Sequence, residues 1–241
     1  MIIEIMYSGF LLFGDRGNVE YLEKTFPEAQ FVYTEITDEP RFVSTPVDLI
    51  YMGPMSEGNL VAVTTKLLPY KDRIRQLIEA GTFFLVVATA LEIFGHTIEL
   101  THGRHLQTLD LFPFTTKRNM KDRHDSAVLG SFQDFKIMGY DARFTEQYGN
   151  EDMPFLKVER GHGFNRKSTL EGIHYQNFFG TNLLGPILVM NPPLIKYIKQ
   201  ALTGDDAIPY EEYMKAGYEV RLDKFLTSKE ILDQAKYSKV R

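Results

Sequence analysis

The sequence predicts an α/β fold: a mixed, mostly parallel sheet with helices on both faces and a helical C-terminal tail. Three observations predict it. Short apolar runs at 2–7, 30–34, 47–52 and 82–87 alternate with helical patterns, the arrangement that builds parallel sheets from crossover units. Beyond 107 the runs become β-branched and aromatic with polar turns between them, which predicts antiparallel additions to that sheet as far as 179. Helical spacing then returns at Leu194, Ile198 and Leu202.

In chain order, Ile2 to Tyr7 predicts a buried central strand, and the turn Gly14-Asp15-Arg16-Gly17-Asn18 leads into a helix over 19–26. Asp15 and Asn18 are candidate caps for that helix, although a loop at the end of a first strand is also where open α/β sheets place ligands. The stretch 60–80 carries the strongest helical pattern. Ile74, Leu77 and Ile78 form its stripe, Pro69 is placed to divide it, and Gly81 takes the C′ position. The strand at 82–87 runs directly into Ala88-Thr89-Ala90 and a short helix ending near Gly95. Asn191 followed by Pro192-Pro193 reads as a cap with prolines at a helix start. After Thr203 the chain is charged and tyrosine-rich, with candidate amphipathic helices at 209–218 and 228–237. These boundaries predict a domain over 1–205 and a helical extension over 206–241.

Composition narrows the classes of function. A chain of 241 residues, 44% hydrophobic, can bury one sizeable core. Its net charge of -5 argues against a broad phosphate-backbone surface, so no nucleic-acid partner is expected. No apolar run approaches the roughly 20 residues that span a bilayer. The first residues lack a basic segment and carry Glu4, so they read as a strand rather than a signal peptide, and the expectation is a cytoplasmic protein. The absence of cysteine removes disulfides, thiolate metal sites and a cysteine nucleophile together. There is no Gly-x-Gly-x-x-Gly fingerprint and no P-loop, and the His102/His105 pair has no evident third ligand, so no cofactor and no metal is expected.

Four segments need a common explanation: Leu12 to Asn18, Asp48 to Pro54, Val87 to Gly95, and Gly180 to Pro186 with Asn191-Pro192. Together they resemble the cobyric-acid-synthase type of class I glutamine amidotransferases, over roughly residues 3–203. The likeness is to the stand-alone branch that supplies ammonia to a Mur-ligase-like partner in peptidoglycan amidation. That family shows Tyr-Gly-Asp-x-Gly-Asn near its start and Asp-x-x-Phe-x-Gly-Gly after its third strand. Its nucleophile elbow reads Cys-Gly-Gly-Tyr-Gln-Leu-Leu-Gly, and its base motif reads Gly-Thr-Tyr-Leu-His-Gly-Pro. The resemblance implies a three-layer, flavodoxin-like class I amidotransferase fold.

The departures carry the functional reading. Aligned on Gly95, the elbow places Ala88 where the family has cysteine; aligned on Gly180-Thr181 and Gly185-Pro186, the last motif places Leu184 where it has histidine. A methyl group forms no thioester and an isobutyl group carries no proton. Gly53 and Thr89 keep backbone N–H groups suited to an oxyanion, and Asn182 belongs to the same pocket. Ala90 crowds a turn built on glycine, Glu92 puts a carboxylate where an amide would hold substrate, and Met55 interrupts the stretch after the third strand. Five departures together read as natural divergence.

The resemblance therefore implies a catalytically silent homologue, a pseudoenzyme acting as a binding or regulatory subunit of an ATP-dependent ligase. Two alternatives stand beside it. One is an active hydrolase with a rearranged site that recruits Thr89, Glu92, His162 or His174; the other is a small-molecule sensor in a glutamine pocket that Ala88 and Leu184 make more apolar. Both histidines read as ordinary strand or loop residues, and His96 and His124 carry no pattern. Lys117, Arg118, Lys121 and Arg123 read as a solvated loop, with an anionic substrate or the ligase as the rival partner.

Overall fold

The computed structural model describes residues 1–228, so the candidate helix at 228–237 lies, beyond its first residue, outside the described residues. The first half alternates as the sequence predicts. It runs β1 (Ile2–Met6), α1 (Arg16–Thr25), β2 (Gln30–Thr34), α2 (Arg41–Ser44), β3 (Leu49–Met52), α3 (Glu57–Leu67), α4 (Lys71–Glu79) and β4 (Phe83–Val87). Pro69 lies in a single 3-10 turn that separates α3 from α4, as its missing N–H and fixed φ require. Gly81 follows α4 at φ 82, the left-handed conformation of a C′ residue.

Eight short or medium strands come next: β5 (Thr97–Glu99), β6 (His105–Gln107), β7 (Thr115–Arg118), β8 (His124–Phe132), β9 (Phe135–Arg143), β10 (Thr145–Tyr148), β11 (Leu156–Arg160) and β12 (Leu170–Glu171). Two further strands, β13 (Ile173–Tyr175) and β14 (Phe178–Thr181), return to the central sheet. Helices α5 (Ile187–Met190), α6 (Pro192–Thr203) and α7 (Glu211–Thr227) close the described chain.

The central sheet has the order β13-β14-β4-β3-β1-β2, parallel throughout except for the antiparallel edge strand β13. Its β2-β1-β3-β4-β14 portion is the flavodoxin-like order, whose switch point lies between β1 and β3. The antiparallel segment departs from expectation. Only β13 extends the central sheet; the other strands form two separate four-stranded sheets, β10-β7-β5-β6 and β12-β11-β8-β9. Strand pattern alone cannot distinguish an edge addition from a second sheet, because both bury alternate residues.

Alternation explains the layers. Ile3, Ile5, Leu49, Tyr51, Phe83, Leu85 and Val87 face one apolar cluster, shared with α1, α5, α6 and the inner face of the β8–β9 hairpin. Ile50, Met52, Phe84 and Val86 face the other, shared with α3 and α4. The outer face of β8–β9, through Ala127, Leu129 and Met138, is covered by Phe225, Tyr218 and Leu222 of α7. Thus the helix expected at 209–218 is one 17-residue helix that folds back on the molecule. Tyr218 donates its hydroxyl to the Lys136 carbonyl and Tyr21 donates to that of Pro209, which fixes both ends of the return.

Gly161, at φ 91, lets β11 close on β8: a Cβ there would lie 2.3 Å from the Ala127 carbonyl oxygen. Gly161→Ala should destabilise the protein by roughly 2 kcal/mol or more in urea unfolding, since backbone rather than a movable side chain blocks the methyl.

Candidate functional site

Strand register brings the four sequence segments to one place. Met6 pairs with Met52, Met52 with Val86, and Val87 with Thr181, so β1, β3, β4 and β14 end together. The chain leaves these ends as the 7–15 loop running into α1, the Gly53–Ser56 turn, the 88–95 turn and the 182–186 turn. This carboxyl edge, at the switch point, is where an open α/β sheet binds ligands.

At the end of β4 the backbone turns sharply. Ala88 has φ 55, a left-handed conformation that costs an alanine about 1 kcal/mol or more, and a 3-10 helix, Ala88–Phe94, begins there. A strand-to-helix turn of this strained kind is how acyl-transfer enzymes expose a nucleophile. Here it presents a methyl group that is 5% exposed. Leu184, 7% exposed, joins the same apolar cluster and is held by reciprocal backbone hydrogen bonds with Tyr140 (3.2 and 2.7 Å).

Apart from the buried Tyr7 hydroxyl at the end of β1, which has no partner, the surrounding polar side chains are engaged with the protein itself. The Thr89 hydroxyl donates to the Met55 carbonyl (2.8 Å) and accepts from the Met55 N–H (2.9 Å). Glu92, buried, accepts from Arg118 (2.8 Å) and from Thr145 (3.1 Å). Asn182 directs its backbone N–H and its side-chain amide to Glu171 and Gln147 (2.6 to 3.1 Å). Asp15 accepts from the Tyr51 hydroxyl and from Asn18, whose Oδ1 accepts from the Leu188 N–H at the start of α5. Gly53 is tucked beneath this group, and a Cβ there would lie 2.2 Å from Asp15 Oδ2 and 2.5 Å from Leu11 Cδ2.

Burial sets the charge of two carboxyls. Desolvation raises the Asp15 carboxyl to about 6 despite the donors Tyr51 and Asn18. It raises Glu171 to about 7 against its hydrogen bonds from Asn182 and Thr181.

Several sequence expectations need correction. Asp15 sits at the N-cap of α1 and Asn18 inside it, but neither caps: their side chains tie α1 to β3 and α5 instead. Asn191 likewise makes no cap and bonds both backbone groups of Met138 on β9. Arg118 belongs to no solvated loop; it is 8% exposed and paired with Glu92, whereas Arg123 lies over the Phe144 ring. His174 lies tilted against Phe179 with its ring centroid 4.5 Å away, and burial holds its imidazole below the usual range. His162 packs on His124 rather than at the β4 turn. Among the described residues no group of three His, Cys, Asp or Glu is disposed to hold a metal ion.

The network around His124 was not read from the sequence. This buried ring meets Asp141 at Nδ1 (3.4 Å) and Glu146 at Nε2 (3.0 Å), while Arg143 pairs with Asp141 (3.0 Å). The partners come from β9 and β10, and only the period-2 placement of Asp141 and Arg143 opposite Ser126 and His124 hinted at a shared face.

The chain is 25% identical over 213 residues to lipid II isoglutaminyl synthase (glutamine-hydrolyzing) subunit GatD of Staphylococcus aureus (strain N315), covering 87% of each. The subunit of the same name from Streptococcus pneumoniae (strain ATCC BAA-255 / R6) is 23% identical over 189 residues, covering 76% of this chain and 72% of the relative. A solved glutamine amidotransferase matches 83% of this chain and 98% of its own length, with TM-score 0.52 at 12% identity, a likeness of fold. The chain is glutamine-amidotransferase-like. No family model matches it. The shared fold is the α/β arrangement of class I amidotransferases, and no described helix is long and apolar enough to cross a membrane.

Two outcomes follow for this edge of the sheet. Because the folded-state pKa of Asp15 is raised, its contribution is most favourable below the unfolded value near 3.8 and is lost as pH rises through about 6. Asp15→Asn should therefore flatten the fall in unfolding free energy between pH 4 and 6.5, by up to about 3 kcal/mol. Arg118→Met should cost about 3–5 kcal/mol by leaving Glu92 buried and unpaired, and adding Glu92→Leu should recover most of it, both read from urea midpoints.

Proposed function

We propose that this chain does not hydrolyse glutamine and acts as a binding or regulatory subunit of an ATP-dependent ligase of the Mur-ligase-like kind, in the cytoplasm. One observation carries the first part: the strained turn after β4 and the facing 182–186 turn contribute a methyl and an isobutyl group to one apolar cluster. Amide hydrolysis by a covalent route needs a nucleophile at the turn and a proton carrier facing it. Ala88 and Leu184 supply neither.

A rearranged active site has little to draw on. The Thr89 hydroxyl would have to leave two hydrogen bonds to Met55, and it would still need a base. Glu92 is neutralised by Arg118, His174 lies among phenylalanines, and His162 lies against His124. The subunit part is supported by likeness: both relatives are named as subunits of a glutamine-hydrolysing synthase, and the match spans most of each. On this proposal the shared fold has kept a surface for such a partner after its chemistry was lost.

Ammonia release from L-glutamine tests the reading. The account expects a kcat below about 10⁻³ s⁻¹, some four orders under the ~10 s⁻¹ of a typical enzyme, with or without an ATP-dependent ligase encoded beside it. It also expects that ligase to co-purify with the chain. Turnover near 10 s⁻¹ that is abolished by Thr89→Val would establish the active alternative.

A further inference from the structure

A cavity of about 350 Å³ lies between the first turn of α3, the β5–β6 hairpin and β7, lined by Glu57, Thr101, His102, Arg104, Arg118 and Met120 among others. We propose that it binds a small organic anion, a phosphate or carboxylate compound that also carries a hydroxyl or amino group. The inference holds whether or not the chain hydrolyses glutamine.

The cations carry the argument. Among the described residues, the side chains of Arg104 and His102 have no hydrogen-bond or ion-pair partner, although they share one cavity wall. Arg118 forms the floor: one end of its guanidinium holds Glu92, and its buried Nε has no partner. The hairpin holds this arrangement in place. His102 and Gly103 are both left-handed at φ 74, and the loop is closed by Leu100 N–H to the Arg104 carbonyl at 2.7 Å. Two consecutive residues in that region fix the direction of the turn, and a histidine there is strained. The 11-residue helix α3 adds the partial positive charge of its N-terminus.

Glu57 is the one carboxylate among the lining residues, and its side chain is also without a described partner. It opposes a bare anion and accepts from a donor, which is why the ligand is assigned both groups. The volume suits a metabolite-sized molecule rather than a polymer segment.

Thermal-shift titration at fixed ionic strength tests this with two probes that each carry a donor group, O-phosphoethanolamine and citrate, on the full chain. The wild type should show a saturable rise in Tm with at least one probe, and the tighter of the two assigns the anion class. Arg104→Gln, which breaks no described contact, should leave the unliganded Tm unchanged and weaken that binding at least tenfold. Lys215→Gln on α7 should not alter it. No saturable shift with either probe, undiminished binding in Arg104→Gln, or an equal loss in Lys215→Gln would overturn the proposal.

Discussion

A buried polar group must be hydrogen-bonded, and at the carboxyl edge of the central sheet Thr89, Glu92, Asn182 and Asp15 meet that requirement from within, whereas the buried Tyr7 hydroxyl has no partner. A working catalytic site departs from the rule in a particular way: it holds donors, acceptors or a nucleophile in readiness for a substrate that will complete them. Here Thr89 is completed by Met55, Glu92 by Arg118 and Thr145, Asn182 by Glu171 and Gln147, and Asp15 by Tyr51 and Asn18. Where the amidotransferase pattern would put its two reactive groups, Ala88 and Leu184 are met by hydrocarbon. The edge behaves as a structural joint between α1, β3, β4 and α5.

The geometry of that joint retains one feature with no use in a joint. Ala88 is left-handed although alanine has no steric reason to be there. The packing around it over-determines the turn: Gly180 passes so close to Leu91 that a Cβ would sit 2.5 Å from Cδ1, and Gly95 runs equally close to Phe114. Strain of this sort persists only where neighbours enforce it. On the proposed reading, this strained turn is what remains of a scaffold that aimed a reactive side chain.

Much of this was legible in the sequence, for reasons that are local. The parallel strands, the division at Pro69 and the glycine after α4 follow from apolar period and backbone chemistry within a few residues. What was hidden depends on distant partners. Asp15 and Asn191 look like caps because they are short polar residues before helices, yet their bonds run to Tyr51 and Met138. Arg118 reads as solvated among Lys117, Lys121 and Arg123, yet β7 turns it inward to Glu92, which stands 26 positions earlier in the chain. The His124 network is assembled from three strands, and no single stretch displays it. Sheet membership was hidden for the same cause, since alternation states which face is buried but not against what.

The most direct test of a self-completed site is a crystal structure determined after soaking in saturating L-glutamine. The account predicts an edge without bound glutamine, with Thr89 still on Met55, Glu92 still on Arg118, and Ala88 and Leu184 in apolar contact. Glutamine, or an adduct derived from it, seated at the β4 turn with Thr89 or Glu92 swung toward it would contradict the account.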